Sequence, residues 1–422
     1  MTVHWAIWLV PLALLVCGTP IYLCFLAGGV LIIALVGLPN VLVPQVMFGA
    51  LESFTLMSIP FFLFAGELMG RSGIADRLIR WFMAMLRGVR GGLGLATVGA
   101  AIGFGTISGA TVATVATVGR IMYPGLRQTG YSERFSLGLI TATGAIDALI
   151  PPSILMVIYG IAAEQSIAKL FIAGIIPGLL LGGVQAAYVI WYAHRHQIPV
   201  GPPASVREVA VATGDAGWAL AVPVVILGGI YTGVFTPTEA AGIAVVIGLF
   251  SGLFVYRDMT LAQVWTITIE TGRITAQILI IVACSSLYAW LLTSQGVPQR
   301  LTAVIDALQL PGWAILLALN AILLIAGMLL DLTSATLILT PLFVPIVKAA
   351  GVDPIHFGII LTTNLGLGSY TPPLAPNIFT TQSMLNVPAS RIIPGLMPFI
   401  VLHLLVIGLI TFVPGLSLWL VR

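Results

Sequence analysis

Two short polar segments interrupt long apolar stretches of the chain, and both combine hydroxyl side chains with small residues. Residues 106–111 read TISGAT and residues 331–336 read DLTSAT. A helix interrupted at such a point leaves unpaired N–H groups at one end and unpaired C=O groups at the other. The N–H end attracts an anion, whereas carbonyl oxygens and hydroxyls can replace the water around Na⁺. The two segments are therefore candidate sites for an anion and a cation.

Each polar segment is followed by a second interruption that contains a Pro-Pro pair. Residues 141–153 read TATGAIDALIPPS, and residues 362–373 read TTNLGLGSYTPP. Proline lacks an N–H group and clashes with the preceding turn, so each pair frees carbonyl groups in the backbone before it. We expect each polar segment to lie against the interruption that follows it in the chain.

The composition predicts that lipid surrounds most of the chain. Of the 422 residues, 59% are apolar and 7% are charged, against about 25% charged residues in ordinary soluble proteins. So few charges exclude a soluble enzyme and a disordered scaffold, and the net charge of +3 is too small for a nucleic-acid-binding protein. Spanning segments must satisfy their own backbone, and no alternating barrel pattern is present, so we predict an all-α polytopic membrane protein.

Eight apolar stretches are clear candidates for membrane spans, which need roughly 20 residues each. They lie near residues 54–70, 136–160, 171–193, 216–234, 239–256, 273–293, 355–385 and 392–413. Residues 5–37 are also apolar, but the Gly18-Thr19-Pro20 sequence leaves open whether they cross once or twice. Because no Lys or Arg precedes Arg71, this region is expected to stay as a span rather than be removed as a secretory signal.

Residues 91–123 and 312–347 contain the two polar segments, and each is too long for one span but too short for two. Each is predicted to form a re-entrant helical hairpin with its tip near the middle of the membrane. Irregular backbone survives there only when it is buried in protein or lines a wet cavity. Basic residues flank the first hairpin on both sides, so both of its ends are expected at the cytoplasmic face. They are Arg87, Arg90, Arg120 and Arg127.

The two hairpins belong to an internal duplication. A constant shift along the chain, which we call the repeat offset, places Gly91 on Gly312, Pro124 on Pro345, Gly130 on Gly351, and Pro151-Pro152 on Pro372-Pro373. Five predicted spans separate the hairpins, and because five is odd the second hairpin opens to the opposite face. The repeats are therefore predicted to be inverted, each with a re-entrant hairpin and a discontinuous helix.

Inverted repeats with helices broken near the middle of the membrane are typical of secondary transporters. Within one integral membrane unit, 1–422, we predict scaffold helices with a cytoplasmic arm helix (1–90), a first transport repeat (91–193), scaffold helices with a periplasmic arm helix (194–311) and a second transport repeat (312–422). The amphipathic arms, at residues 71–90 and 297–309, each lead into a hairpin, which indicates an elevator-type movement.

The polar segments and the interruptions predict two Na⁺ sites with a substrate between them. The first Na⁺ would be bound by Ser108, Thr111, Thr143, Gly144, Asp147 and Pro152. The second would be bound by Thr333, Ser334, Thr336, Asn364, Gly368 and Thr371. The substrate would contact Ser108, Gly109, Ser153, Asp331, Thr333, Asn364 and Asn377. Other hydroxyl residues nearby, such as Thr114 and Thr340, are assigned to ordinary helix packing.

Asp147 and Asp331 are acidic residues inside apolar segments, and such residues are functional candidates by default. Asp147 could bind Na⁺, carry a proton or neutralise a neighbour. Asp331 could equally be a structural N-cap for the second limb of its hairpin. An intramembrane hydrolase would need the two carboxylates to share a proton at close range, but they occupy non-equivalent positions in the two repeats.

Motifs along nearly the whole chain resemble the large membrane subunit of tripartite ATP-independent periplasmic (TRAP) transporters, in the ion-transporter superfamily. They are SIPFF (58–62), AGELM (65–69), IPPS (150–153), KLFIAG (169–174) and TPP (371–373) with Asn377. The resemblance implies a multi-pass carrier in the bacterial inner membrane that uses Na⁺ as coupling ion. Its substrate would be an organic acid, such as a C4-dicarboxylate or sialic acid, delivered by a periplasmic substrate-binding protein. A separate small four-helix membrane subunit is also implied.

Two residues depart from the pattern of that family, which usually has glycine where this chain has Asp147 and Ala375. An acid beside the first predicted cation site would raise its cation affinity or add proton coupling. A stand-alone sodium/anion symporter, which needs no binding protein, is the alternative function.

Overall fold

The computed structural model describes residues 2–307 and 310–422, and the side chains of all of these except residues 2–8 and 304–307. In this part of the chain the backbone forms helices and no strand, as predicted. Six of these helices are long and apolar enough to cross a membrane, or eight segments if two bent helix pairs each make one span. Each of the eight predicted spans contains a helix or a broken pair of helices, and the six long helices include both limbs of the predicted second hairpin, Gly312–Leu329 and Leu332–Ala349.

The helices are numbered in chain order. Before the first hairpin lie α1 (Thr2–Val16), α2 (Ile21–Val36), α3 (Leu42–Leu51), α4 (Ser58–Arg71) and α5 (Ile74–Leu86). The first repeat contains α6 (Gly92–Ser108), α7 (Thr111–Gln128), α8 (Glu133–Thr143), α9 (Ile154–Ala162) and α10 (Ile167–Arg195). Next come α11 (Val206–Asp215), α12 (Gly217–Tyr231), α13 (Pro237–Phe250), α14 (Leu261–Ser294) and α15 (Val297–Ala307). The second repeat contains α16 (Gly312–Leu329), α17 (Leu332–Ala349), α18 (Pro354–Gly368), α19 (Pro376–Leu385), α20 (Ala389–Phe412) and α21 (Gly415–Leu418).

The N-terminal apolar region forms two helices, α1 and α2, so the Gly18-Thr19-Pro20 sequence does divide it. The two helices fold back on each other. Gly28 of α2 lies so close to α1 that a Cβ atom added there would be 2.9 Å from Cγ of Pro11. With 15 and 16 residues, each helix is about 23 Å long. The region is therefore a helical pair rather than a single rod, and each helix is shorter than the roughly 30 Å of the hydrocarbon core.

Both predicted hairpins are present, and their limbs run antiparallel. A Cβ at Gly125, near the end of α7, would lie 3.1 Å from Cδ2 of Leu93, at the start of α6. A Cβ at Gly312, the first residue of α16, would lie 3.7 Å from the carbonyl oxygen of Ala350, just beyond α17. Limbs of 17 or 18 residues are about 26 Å long, close to the thickness of the hydrocarbon core. A tip at mid-membrane therefore requires limb bases that protrude from the hydrocarbon.

Helix boundaries recur at the repeat offset that the sequence predicts. This offset relates both ends of α7 to both ends of α17, and it relates the start of α8 to the start of α18. Equivalent N-cap residues set the starts of α8 and α18. Ser132 accepts a hydrogen bond from a first-turn amide of α8, and Asp353 does the same in α18. Both Pro-Pro pairs, Pro151-Pro152 and Pro372-Pro373, lie in helix breaks and have cis peptide bonds. The predicted architecture of inverted repeats, each with a hairpin and a discontinuous helix, is confirmed.

The predicted cytoplasmic arm is α5, and it packs on a helix that the sequence analysis missed. None of the spans, hairpins and arms predicted from the sequence includes residues 197–215, but α11 lies there and begins with a capping box of Ser205 and Glu208. Trp81 Nε1 of α5 donates to Thr213 Oγ1 of α11 at 3.0 Å. The second predicted arm is α15, and residues 308–309 of that prediction lie outside the described residues.

Candidate functional site

The tip of the first hairpin is a tight turn that requires glycine. α6 ends at Ser108, and Gly109 follows in the left-handed region with φ of 61°. A Cβ at Gly109 would lie 2.7 Å from the carbonyl oxygen of Pro152, so a side chain is excluded as well. The backbone N–H of Ile154 donates to the carbonyl oxygen of Gly109 at 3.2 Å. The first tip therefore lies directly against the break between α8 and α9, as predicted.

A buried carboxylate joins this tip to the break. The Oδ2 atom of Asp147 accepts hydrogen bonds from Ser108 Oγ at 3.1 Å and from Thr114 Oγ1 at 3.0 Å. Asp147, Ser108 and Thr114, which we call the first-site cluster, are all 0% exposed. The Oδ1 atom of Asp147 is buried without a hydrogen-bond partner, and none of the five ion pairs of the described residues includes Asp147. The cluster therefore carries a carboxylate oxygen that is still available to a ligand.

Glycines let neighbouring backbone approach the first-site cluster from two sides. A Cβ at Gly66 of α4 would lie 2.9 Å from Cα of Ser108. A Cβ at Gly105 of α6 would lie 2.7 Å from the unpartnered Oδ1 atom of Asp147. Real Cβ contacts are essentially never this short, so larger residues would displace the tip or the carboxylate. Helix α4 thus covers the first tip, and Gly105 leaves room beside the free oxygen.

The other residues predicted for the first cation lie close to the cluster, but their hydroxyls are engaged locally. A Cβ at Gly144 would lie 2.8 Å from the carbonyl oxygen of Thr111, which brings these two residues together. Thr143 donates to a carbonyl oxygen of its own segment at 2.9 Å, and Ser153, which was predicted for the substrate, does the same at 2.8 Å. A hydroxyl that donates in this way still has lone pairs, so Thr143 keeps the capacity to bind a cation.

Thr114, which the sequence assigns to ordinary helix packing, donates a hydrogen bond to Asp147 Oδ2 and so lies beside the predicted cation site. It lies three residues after Thr111 near the start of α7, so both side chains are on the helix face that meets the break. This spacing was the available signal, but only the contact with Asp147 distinguishes Thr114 from other threonines of the helix.

Asn377, which was predicted to contact the substrate, lies where the two repeats meet. Its side-chain Nδ2 atom donates to Ser369 Oγ at 3.1 Å and to the carbonyl oxygen of Thr141, in the first repeat, at 3.4 Å. Thr141 and Thr381 also share a hydrogen bond of 2.9 Å across the same boundary. The Oδ1 atom of Asn377 is buried without a partner. Asn377 therefore joins the second repeat to the break of the first and keeps one free acceptor.

The tip of the second hairpin uses its acidic residue as a helix cap. Asp331 Oδ2 accepts a hydrogen bond of 2.9 Å from the backbone N–H of Ser334, which confirms that Asp331 is the N-cap of α17. The Oδ1 atom of Asp331 and the hydroxyl of Ser334 have no partner. The backbone N–H of Leu374 donates to the carbonyl oxygen of Met328 at 3.2 Å. The second tip therefore also lies against the break that follows it.

No side-chain hydrogen bond joins the residues predicted for the second cation to one another in the described part of the chain. Asn364 donates through Nδ2 to Asn320 Oδ1 of α16 at 2.6 Å and to a carbonyl oxygen of its own helix, so its Oδ1 atom is the one left for a ligand. Thr336 and Thr371 donate to carbonyl oxygens of their own segments. A Cβ at Gly368 would lie 2.5 Å from the carbonyl carbon of Gly327, which marks a close crossing of backbones. The remaining residue of this set, Thr333, is half-buried beside Ser334.

The donor set of the first-site cluster fits a hard cation. It offers carboxylate and hydroxyl oxygens with backbone carbonyls nearby, the type of ligand that such cations prefer. Among the described residues no group of three or more His, Cys, Asp or Glu side chains could hold a metal ion, so the chemistry of a transition-metal site has no basis there. Asp147 and Asp331 have separate hydrogen-bond partners, and no contact joins the two carboxylates.

Comparison with known proteins identifies the family. The model for "Tripartite ATP-independent periplasmic transporter, DctM component" matches residues 8–416. The C4-dicarboxylate TRAP transporter large permease protein DctM of Pseudomonas aeruginosa is 41% identical over 372 residues, which cover 88% of this chain and 87% of that protein. The ectoine/5-hydroxyectoine TRAP transporter large permease protein UehC of Ruegeria pomeroyi is 37% identical over 418 residues, which cover 98% of this chain and 97% of that protein.

A solved structure shares the fold at low sequence identity. The Alcanivorax borkumensis YdaH transporter superposes with a TM-score of 0.61 at 16% identity, over 89% of this chain and 88% of that chain. The sequence relatives are transporter permeases of the inner membrane rather than enzymes, so the hydrolase alternative has no support. The chain belongs to the family of tripartite ATP-independent periplasmic transporters, as its large permease or DctM component.

Proposed function

We propose that the protein is the membrane carrier of a Na⁺-driven uptake system for an organic acid anion. The observation that carries this proposal is the first-site cluster, in which a fully buried carboxylate has one unpartnered oxygen. An isolated buried charge is strongly unfavourable unless a counter-charge and hydrogen bonds compensate it. Bound Na⁺ would supply that counter-charge and would couple the occupied site to the ion gradient. Asp147, Ser108 and Thr114 would hold it, with the carbonyl groups of the tip and the break.

The substrate anion would be held by backbone and hydroxyl groups. The buried polar residues of the described chain include no Lys or Arg, so no buried cation can clamp a carboxylate. Helices α7 and α9 begin at the first tip and at the first break, and neither has a side-chain cap. The Ile154 N–H of α9 is already bonded to Gly109, but the other first-turn N–H groups and the positive dipole ends of both helices attract an anion. Ser153 is the N-cap residue of α9, and Ser108 and Gly109 end α6 just before α7 begins; all three would contact the substrate from the first repeat.

The substrate class follows from the family only in outline. One relative is named for C4-dicarboxylates and another for ectoine. We propose an organic acid anion such as a C4-dicarboxylate, sialic acid or a related carboxylate. The family description is tripartite, and the relatives are named large permeases. The words "tripartite" and "large" support a small four-helix membrane subunit and a periplasmic substrate-binding protein as partners of this chain.

An elevator movement would carry the site across the membrane. Residues 91–193 and 312–422 would move as the transport part, while residues 1–90 and 194–311 would form the scaffold and the arms. Helices α5 and α15 each lead into a hairpin, as connecting arms must. Ion pairs join the arm region to the chain around α14, with Arg77 Nη1 2.6 Å from Asp258 Oδ2 and Arg71 Nη2 2.5 Å from Glu270 Oε2. These contacts support an arm that is anchored at its scaffold end.

Uptake into proteoliposomes tests the proposal. The chain is reconstituted with its small membrane subunit, and labelled carboxylates are offered with an inward Na⁺ gradient or with K⁺ in place of Na⁺, each with and without the binding protein. Uptake that requires both the Na⁺ gradient and the binding protein supports the proposal. Na⁺-driven uptake without the binding protein would instead show a stand-alone symporter, and uptake that ignores the gradient would reject Na⁺ coupling.

A further inference from the structure

The acid and hydroxyl groups of the first-site cluster have no equivalents in the second repeat. The repeat offset relates Asp147 to Gly368, and it relates the other two cluster positions to Leu329 and Ala335. All three equivalents are apolar. The two breaks therefore share a backbone plan, but only the first contains a side chain with a formal charge.

The second break also has no space for an acidic side chain. A Cβ at Gly368 would lie 2.5 Å from both the carbonyl carbon and the carbonyl oxygen of Gly327. These are backbone atoms, so they cannot move aside as a flexible side chain would. The difference between the repeats is therefore fixed by packing, and the second break can offer a cation only backbone and neutral side-chain oxygens.

Asp331, the acidic residue of the second tip, is in a different electrostatic setting from Asp147. It caps its own helix, where the Ser334 N–H and the positive end of the α17 dipole stabilise its charge. It is also half-buried, whereas Asp147 is 0% exposed. Asp147 receives two hydroxyl hydrogen bonds, from Ser108 and Thr114, and the amide of Ala110 donates to Ser108 Oγ at 3.4 Å. The charge of Asp147 therefore gains more from a bound cation than the charge of Asp331 does.

We propose that Asp147 makes the first site bind Na⁺ in the absence of substrate, so that this ion binds first, whereas binding at the second site depends on the substrate anion. This inference rests on the proposed function, because it assumes Na⁺ as the coupling ion. A site with its own negative charge attracts Na⁺ without help. A site built mainly from neutral dipoles gains the missing negative charge only when the substrate is bound.

Thermal unfolding of the purified full-length protein tests this order with Na⁺ as the only ligand. Cys17 is exposed and reacts with a thiol-reactive fluorescent dye before unfolding, whereas Cys24 and Cys284 are buried, so the further rise in fluorescence reports their exposure on unfolding. The unfolding midpoint is measured against Na⁺ concentration without substrate, with K⁺ added to keep the ionic strength constant. We expect a saturable rise in wild type, and a half-saturating Na⁺ concentration at least about tenfold higher in Asp147→Asn and Asp147→Gly. One lost decade of affinity corresponds to about 1.4 kcal/mol.

A matched control is Asp353→Asn, which changes another helix-capping acid outside the predicted sites. We expect this variant to keep the half-saturating Na⁺ concentration of wild type, whatever happens to its midpoint without Na⁺. Two results would overturn the inference while Na⁺-driven uptake still stands. One is a wild-type midpoint that ignores Na⁺ until substrate is added, and the other is an unchanged Na⁺ response in both Asp147 variants. Loss of Na⁺-driven uptake itself would reject the proposed function instead.

Discussion

The two repeats share the boundaries of α7 and α17 and the starts of α8 and α18, but they differ where each hairpin crosses its break. In the first repeat, Asp147 lies at this crossing and binds two hydroxyl groups. In the second, Gly368 lies against Gly327 with no room for a side chain. Caps, glycines and Pro-Pro pairs hold the backbone plan in both halves, so the side chains at the crossing were free to diverge. The comparison shows that a duplicated fold does not require duplicated chemistry.

The repeats also differ in how well their tips are covered. Helix α4 packs against the first tip through Gly66, and Ser108 is fully buried there. At the second tip Leu329 is 44% exposed, and Leu374, in the break beneath it, is 52% exposed. Residues of this chain therefore cover the first tip, whereas they leave these two leucines of the second tip and its break exposed.

The largest loss of stability is expected from a substitution at Gly368, where two backbone segments of the second repeat cross. Gly368→Ala places a methyl group against the backbone of Gly327, so we expect a loss of roughly 3 kcal/mol in unfolding free energy, or no folded protein. The dye-based unfolding midpoint measures this. Gly408→Ala in α20 is the matched control, because nothing lies within 4 Å of the added Cβ, and it should be neutral or slightly stabilising. Wild-type stability in Gly368→Ala would show that the second crossing tolerates side chains.

A smaller effect is expected from the pair of asparagines in the second repeat. Asn364→Ala leaves Asn320 Oδ1 without its main donor, so we expect a loss of about 1–3 kcal/mol in stability. If Asn364 also binds the second cation, the variant raises the Na⁺ concentration for half-maximal uptake. Asn320→Ala is the comparison, since it removes the positioning contact but keeps Asn364 itself. Equal Na⁺ responses in the two variants and wild type would exclude Asn364 as a cation ligand.

The first crossing is tested by removing its hydroxyls one at a time. Ser108→Ala and Thr114→Ala each delete one hydrogen bond to the Asp147 carboxylate and one oxygen near the cation. We expect the Na⁺ concentration for half-maximal uptake to rise roughly three- to tenfold, because a hydrogen bond to a charged group is worth about 1.5–3 kcal/mol and part of it is replaced by water. Thr97→Ala is the control, since Thr97 donates only within α6. A response no larger than that of the control would separate both hydroxyls from cation binding.

The smallest effect on stability and uptake is expected from Glu208, at the start of α11, which packs on the arm helix α5. The Ser205 N–H and the nearby Arg87 lower the pKa of Glu208, so this carboxylate supports the start of α11 near neutral pH. Because the folded pKa is lowered, the support is lost as the pH falls through that value. We expect Glu208→Gln to increase hydrogen exchange of α11 slightly near neutral pH and to remove the difference from wild type in acid. Uptake should change little, and a large loss would mean that α11 controls the movement of the arm.

Much of the fold was predictable because local rules set it. The spans follow from apolar length, and the hairpins follow from segments too long for one crossing and too short for two. Asp331 was correctly named as a possible N-cap, since Asp followed by a helical apolar run is a local signal. The capping box at the start of α11 was an equally local signal that the analysis overlooked.

The candidate site was only partly predictable, because its contacts join distant parts of the chain. Ser108 and Asp147 were both chosen from sequence, but their direct hydrogen bond spans 39 residues. Thr114 was discarded because its partner is across a helix break, and Asn320 was missed because its partner Asn364 is on another helix. A hydroxyl or amide residue gives the same sequence signal whether it packs or binds a ligand. Only the atoms that it contacts in the fold distinguish the two roles.

The sequence alone determined that the protein is a helical membrane carrier built on two inverted repeats, because hydrophobicity, Pro and Gly positions and the constant repeat offset are properties of the chain order itself. The tertiary structure alone decided that the repeats are chemically unequal. Burial and orientation leave a free carboxylate oxygen at Asp147, while two backbones meet at Gly368 and exclude any side chain. Both results depend on distances between segments that only the packed fold brings together.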